Sequence, residues 1–421
     1  MRIVTLPVFS ESSSKIWRIP LLSLIGWLWP FYFALTFTIG RNPDYTQLVI
    51  WGGVIIPLLM TVVLFLRRNP PVPTEAYLIA GVLLWSLPWA FFIESSTFWS
   101  YARSLAQYTV LVFFVANVIR YTGRFELFFW AMLAVGVFNA LNVQYATAGV
   151  VTDLLSQRRA IGIGEMSPNQ LAGLTQLGAF GALGLLGAPR IKGRIQYSFK
   201  VALIIIGFLL CVYGLVAAGG RGSIIAVLLY LLLWLTMCLR ERIHNWLGLL
   251  AILFVIIAGI AFILIPWLLD NTFLGQRLTS ARYAEDGSTQ FRLELILLGL
   301  KIGIENPLFG VGLGQFGSAS GTGYYSHNEF IELFATTGFM GLILYMLVYY
   351  VCWQRLTLLL KQIQDYSARY WINVSRVGLL VMFITGITTR PNFLAEDSMF
   401  MMSLFIGIGL YFSNQMVRSA S

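Results

Sequence analysis

Apolar residues run along this chain in blocks near twenty long, separated by short polar breaks. A block of that length crosses the hydrocarbon core of a bilayer as an α-helix. The pattern marks about twelve of them, near 19–40, 47–66, 75–93, 104–119, 125–147, 169–188, 198–218, 222–239, 246–268, 329–352, 372–389 and 396–413. Only "GGRG" separates the seventh from the eighth, which predicts a tight helical hairpin. The one long polar interval, 270–327, precedes the tenth block. Inside it, "FRLELILLGLKIGIENP" from Phe291 to Pro307 reads as a short helix stopped by Asn306-Pro307. It is apolar but too short to span, so it is expected to lie in the interface as a lid. The fold class is an all-α polytopic membrane protein, a single integral membrane domain over 1–421 with a large outer loop before the tenth helix.

Composition agrees with the pattern. The chain is 58% hydrophobic and 11% charged, with a mean hydropathy of +0.77. Soluble domains carry about a quarter charged residues, so the solvent of this fold is lipid. No internal repeat is visible, which weighs against the inverted-repeat transporters. The three cysteines, Cys211, Cys238 and Cys352, sit in or at the ends of apolar blocks. They read as buried small hydrophobes, without disulfide or metal spacing.

Charge supplies the orientation. With the N-terminus in the cytoplasm, 18 of the 28 Lys and Arg fall on the cytoplasmic side and 10 on the other, as the positive-inside rule expects. The net charge of +10 is therefore a topology signal and gives no reason to expect nucleic acid as a partner. The outer set is Arg41, Arg103, Arg158, Arg159, Arg221, Arg277, Arg282, Arg292, Lys301 and Arg390. Its bias to arginine is a clue, because a planar guanidinium fork grips carboxylate or phosphate where lysine offers a point charge. Snorkelling to lipid headgroups explains any single one of these arginines equally well.

Of the two histidines, His244 falls in a short cytoplasmic loop, which leaves His327 as the imidazole available to the outer face. It stands in "YYSHNEFIELFATTGFMG", residues 324–341. Ser326 and Glu329 have the spacing of a capping box, which predicts a helix start at Ser326 with His327 at its first position. The helix dipole there disfavours an imidazolium while Glu329 and Glu332 favour it, so the sign of any pKa shift stays open. A side chain that titrates near neutral pH suits general-base work; a capping or interfacial histidine is the alternative. Gly312, Gly314 and Gly317 match G-x-G-x-x-G, but no strand precedes them, so a tight or flexible turn is expected and not a dinucleotide site.

Four stretches together resemble the O-antigen ligase and polymerase superfamily: "ENPLFGVGLGQF" (305–316), "SHNEFIELFATTGFMG" (326–341), "RRAIGIGEMSPNQLAG" (158–173) and "AAGGRGS" (217–223). The resemblance implies a glycosyltransferase of the bacterial inner membrane with its active site facing the periplasm. It implies a glycan donor on undecaprenyl pyrophosphate, transfer with inversion and no metal or other cofactor. In the ligases the acceptor is a hydroxyl of the lipid A–core oligosaccharide. By position, His327 corresponds to the general base, and Arg221 and Arg292 to the principal pyrophosphate ligands. Arg158 or Arg159, and Asn169, are further carry-overs, and Arg390 at the end of the eleventh block is a possible additional ligand. A polymerase that joins two polyprenyl-linked glycans needs the same donor site and is the nearest alternative. A polyprenyl-glycan transporter is the alternative from another class, and it would place ionisable residues deep in several spans.

Overall fold

The computed structural model describes residues 21–38, 70–93, 96–145, 160–161, 167–188, 194–239, 287–388 and 395–420, with isolated positions at 62, 248, 251 and 393. The blocks expected at 47–66 and 246–268 lie outside the described residues but for those isolated positions. The described regular structure is helical apart from one two-residue antiparallel pairing of β1 (Gln144–Tyr145) with β2 (Ala160–Ile161). Seven of the described helical segments are long and apolar enough to cross a membrane. The chain divides into two compact units, one of residues 1–16, 65–123 and 286–421, the other of 17–64 and 124–285.

The second unit contains α1 (Leu21–Phe37), α4 (Phe125–Leu141), α5 (Pro168–Leu186), α6 (Arg194–Ala218) and α7 (Arg221–Cys238). In lipid, helices gain nothing from hiding one apolar face from another, so close backbone approach has to supply the association. Gly136 of α4 meets Gly178 of α5 so tightly that a Cβ on either would strike the other backbone and Cys211 Sγ of α6. Asn139 Nδ2 donates to Phe37 O at 3.0 Å, which ties the end of α1 to α4. The three cysteines are buried and form no disulfide among the described residues.

The first unit contains α2 (Thr74–Ser86), a 3₁₀ turn (Leu87–Phe91), α3 (Ser96–Thr122), α8 (Gly287–Glu305), the short α9 (Phe316–Ala319), α10 (Glu329–Gln362), α11 (Tyr366–Thr388) and α12 (Glu396–Ala420). α10 is its axis and packs against α2, α8, α11 and α12. Arg355 of α10 grips the buried Glu75 of α2 with both nitrogens, at 2.5 and 3.2 Å.

α10 is broken once, at Gly338 (φ 69°, ψ −169°). A break in an apolar setting strands backbone groups that water cannot reach, at a cost of several kcal/mol each. Here four of the groups at the break are taken up by partners outside the helix. Ala335 O accepts from Val311 N and Thr336 O from Gly312 N, both at 2.9 Å, while Phe339 N donates to Pro307 O at 2.8 Å. Thr337 O accepts from Trp85 Nε1 at 3.1 Å. The glycine-rich stretch "GVGLGQFG" is thus a clamp on a kinked helix. Gly312 and Gly314 hold positive φ, and a Cβ at Gly310 or Gly338 would collide with backbone across the clamp. Of the two roles expected for this stretch, the tight turn is the one found.

Candidate functional site

The segment from Tyr324 to Glu332 departs from the expectation in its cap. The helix begins at Glu329 and its N-cap is Asn328, not Ser326. Asn328 Oδ1 accepts from the amides of Phe330 and Ile331, both at 3.0 Å. Its Nδ2 donates to Ile387 O of α11 at 2.9 Å. Asparagine caps as well as serine, and its carboxamide N–H supplies the second bond to α11. Glu329 does not reach back to complete a capping box. Its Oε1 accepts from Tyr345 Oη and from Phe393 N, inside the unit. The carboxylate that does reach back is Glu332, whose Oε2 accepts from Ser326 N at 2.7 Å.

His327 therefore stands before the helix, not at its first position. It is the one non-glycine residue at positive φ (58°) among the described residues. Such a backbone costs roughly 1–3 kcal/mol and marks a place worth a functional question. The ring is half-buried and lies 4.1 Å, centroid to centroid, from that of Tyr325. Burial, and next to it the Arg292 guanidinium, push its pKa down to about 4. The sign left open by the sequence is thereby set: the imidazole is neutral at neutral pH, with a nitrogen lone pair free to take a proton.

Arg292 reaches this place because of how α8 is seated. Arg292, Leu295, Gly299 and Ile302 recur at helical spacing on one face. Leu295 and Ile302 join Phe316 and Ala335 in a buried cluster. A Cβ at Gly299 would meet Ile331, Phe316 and Ser326, so α8 lies directly against the start of α10. Arg292, in the first turns of α8, is half-buried. The helix starts at Gly287, four residues before the sequence reading placed it, and is packed into its unit along this face.

Tyr101 of α3 completes the surroundings. It lies over Gly314 of the clamp, and its phenol is within electrostatic reach of Glu332 and Tyr325. Neither tyrosine, nor Glu332 or Asn328, was singled out as a site residue from sequence. Asn328 carried a legible signal, since an asparagine preceding an apolar run is an N-cap pattern.

Two other expected residues, Arg221 and Asn169, belong to the second unit. Arg221 is the first residue of α7, in the second unit, and is partly exposed. Its N-cap Gly220 is so close to Ala172 of α5 that a Cβ there would touch the alanine's. Asn169 is exposed one turn earlier on α5, which opens with a capping box between Ser167 and Gln170. Arg221 and Asn169 are thus brought to neighbouring helix starts. Arg158, Arg159 and Arg390 lie outside the described residues. Among the described residues no group of three or more His, Cys, Asp or Glu is gathered to hold a metal. An imidazole, a guanidinium and phenols suit an anionic and hydroxyl-bearing ligand.

The described residues are those of a helical, multi-pass membrane protein with a neutral histidine, under the influence of an arginine, just before a kinked helix. Residues 206–346 match the family model of O-antigen ligase, and that match supports membership of the O-antigen ligase superfamily of ligases and polymerases. The matched stretch runs from within α6 into α10 and contains Arg221, Arg292 and His327. No curated protein sequence matches the chain.

Proposed function

We propose that the protein is an O-antigen ligase of the bacterial inner membrane, working on the periplasmic face. It transfers a glycan from undecaprenyl pyrophosphate to a hydroxyl of the lipid A–core oligosaccharide, with inversion and without a metal ion. The observation that carries the reading is the neutral His327, held on a strained turn beside Arg292 within the family-matched stretch.

In this reading His327 accepts the proton of the acceptor hydroxyl. The hydroxyl oxygen forms the new bond to the anomeric carbon as the carbon–oxygen bond to the diphosphate breaks. The departing undecaprenyl pyrophosphate takes the electron pair. Arg292 and Arg221 bind its phosphate oxygens, with Arg158 or Arg159, Asn169 and Arg390 as further contacts. Each charge-assisted hydrogen bond is worth about 1.5–3 kcal/mol net, and bonds that strengthen as charge develops lower the barrier. A positioned base adds about 10²–10⁴-fold. Arg221 suits its part because it opens a helix: the dipole and first-turn amides favour an anion at the same point as the guanidinium.

The chemistry also couples the two groups. While Arg292 faces no anion, its charge helps keep His327 unprotonated. A bound diphosphate offsets that charge, which raises the basicity of the imidazole when a proton must be taken.

The test supplies purified full-length protein with a polyprenyl pyrophosphate glycan and either lipid A–core or a second copy of the donor. Glycan on lipid A–core supports the reading. Extended polyprenyl-linked ladders formed without lipid A–core replace it with a polymerase, and transbilayer movement of intact donor with no transfer replaces it with a transporter.

A further inference from the structure

His327 holds its backbone at a positive φ that a residue with a Cβ does not favour by itself, so something on either side has to impose it. On the C-terminal side stands the cap: Asn328 is bound to two amides of its own helix and to α11. On the N-terminal side, Ser326 is completely buried. Its hydroxyl donates to Asn328 O at 2.8 Å, and its amide donates to Glu332 Oε2 at 2.7 Å. The peptide that carries His327 is stretched between two buried anchors. One of those anchors hangs on a carboxylate six residues further along the chain. Glu332 is itself only 1% exposed, so its bond to the Ser326 amide is made in a dry setting, where such bonds are strong.

We propose that Glu332 is a positioning residue: by accepting the Ser326 amide it fixes the left-handed turn that aims the His327 imidazole at the acceptor hydroxyl. The inference rests on the reading of His327 as the base. Glu332 acts through His327 and does not touch substrate. What it supplies is an acceptor oxygen at a fixed reach. The formal charge is secondary, which separates this role from a purely electrostatic one.

The experiment measures transfer kinetics of the full-length protein carrying E332Q, E332D, H327A and the double change H327A/E332D, with thermal melting of each. Glutamine keeps an acceptor oxygen at the same reach, so E332Q retains most of the turnover. Aspartate keeps the charge but withdraws the oxygen by one methylene, so E332D loses turnover by roughly 10²-fold, the scale expected when a catalytic group is misplaced by about 1 Å. The KM for the polyprenyl donor stays near that of the unaltered protein, because the arginines that bind it are untouched. The double change is no slower than H327A alone, as expected of a residue that works through His327. The proposal is overturned if E332D outperforms E332Q, if E332D turns over normally, or if the double change is markedly slower than H327A. Normal turnover by H327A removes the base itself and this inference with it. Loss in H327A with normal turnover in E332D removes the inference alone.

Discussion

Two helix starts carry the proposed chemistry, and they are built in opposite ways. α10 opens with Asn328, whose side chain occupies the amides of Phe330 and Ile331. That helix end is closed, and the imidazole stands just outside it on a turn fixed from both sides. α7 opens with Gly220, which has no side chain to cap it, and its first residue is Arg221. A cation at a helix N-terminus opposes the dipole, yet amides and a guanidinium pointing one way suit an anion. In the proposed chemistry the closed start holds the base in place, and the start without a side-chain cap puts a guanidinium in its first turn.

The comparison is broken most sharply by removing the base. His327→Ala is expected to lower turnover by about 10²–10⁴-fold while leaving the donor KM near its original value. Equal loss in donor affinity would move His327 from base to binding group. Arg221→Lys keeps the charge and loses the fork. It is expected to lower kcat/KM by roughly 10–10²-fold, the equivalent of one charge-assisted hydrogen bond. Unchanged kinetics for that variant would reduce Arg221 to a snorkelling cation.

Smaller effects sharpen the contrast. Asn328→Ala removes the cap of α10 and its bond to Ile387 O, and is expected to cost about 1–2 kcal/mol of stability, read as a lowered thermal midpoint. Any loss of turnover in that variant reports loosening of the turn before the cap. The smallest effect is in the pH profile. His327 titrates at about 4, so the base form fills as pH rises through that value and kcat/KM falls as pH drops below it. Burial is the larger cause and Arg292 the second. Arg292→Gln therefore moves the acidic limb to higher pH, and a limb that does not move separates the two groups electrostatically.

Much of the architecture was legible because lipid imposes it. A chain that cannot leave backbone groups unpaired in hydrocarbon must fold its apolar blocks as helices. Residue patterns marked α6, α7 and α10 close to where they lie, and "GGRG" was read as the hairpin between α6 and α7. The count of twelve spans was an expectation, against seven such segments among the described residues. The cap was misplaced by two residues because S-x-x-E and an asparagine N-cap are both valid local patterns. The structure chooses Asn328, whose Oδ1 takes two amides of its own helix while its Nδ2 is tied to Ile387 O of α11.

The sequence alone pointed to the helical membrane class and to His327 and Arg292 as candidates, because composition, spacing and motif are local properties of the chain. It did not settle that His327 sits on a left-handed turn, that Arg292 helps keep it neutral, or that Glu332 anchors the Ser326 amide. Nor did it show that a glycine-rich clamp supplies partners at the break in α10. Those depend on interactions between residues far apart in the chain, such as Asn328 with Ile387 and Trp85 with Thr337. Close packing decides such contacts, and no local pattern encodes them.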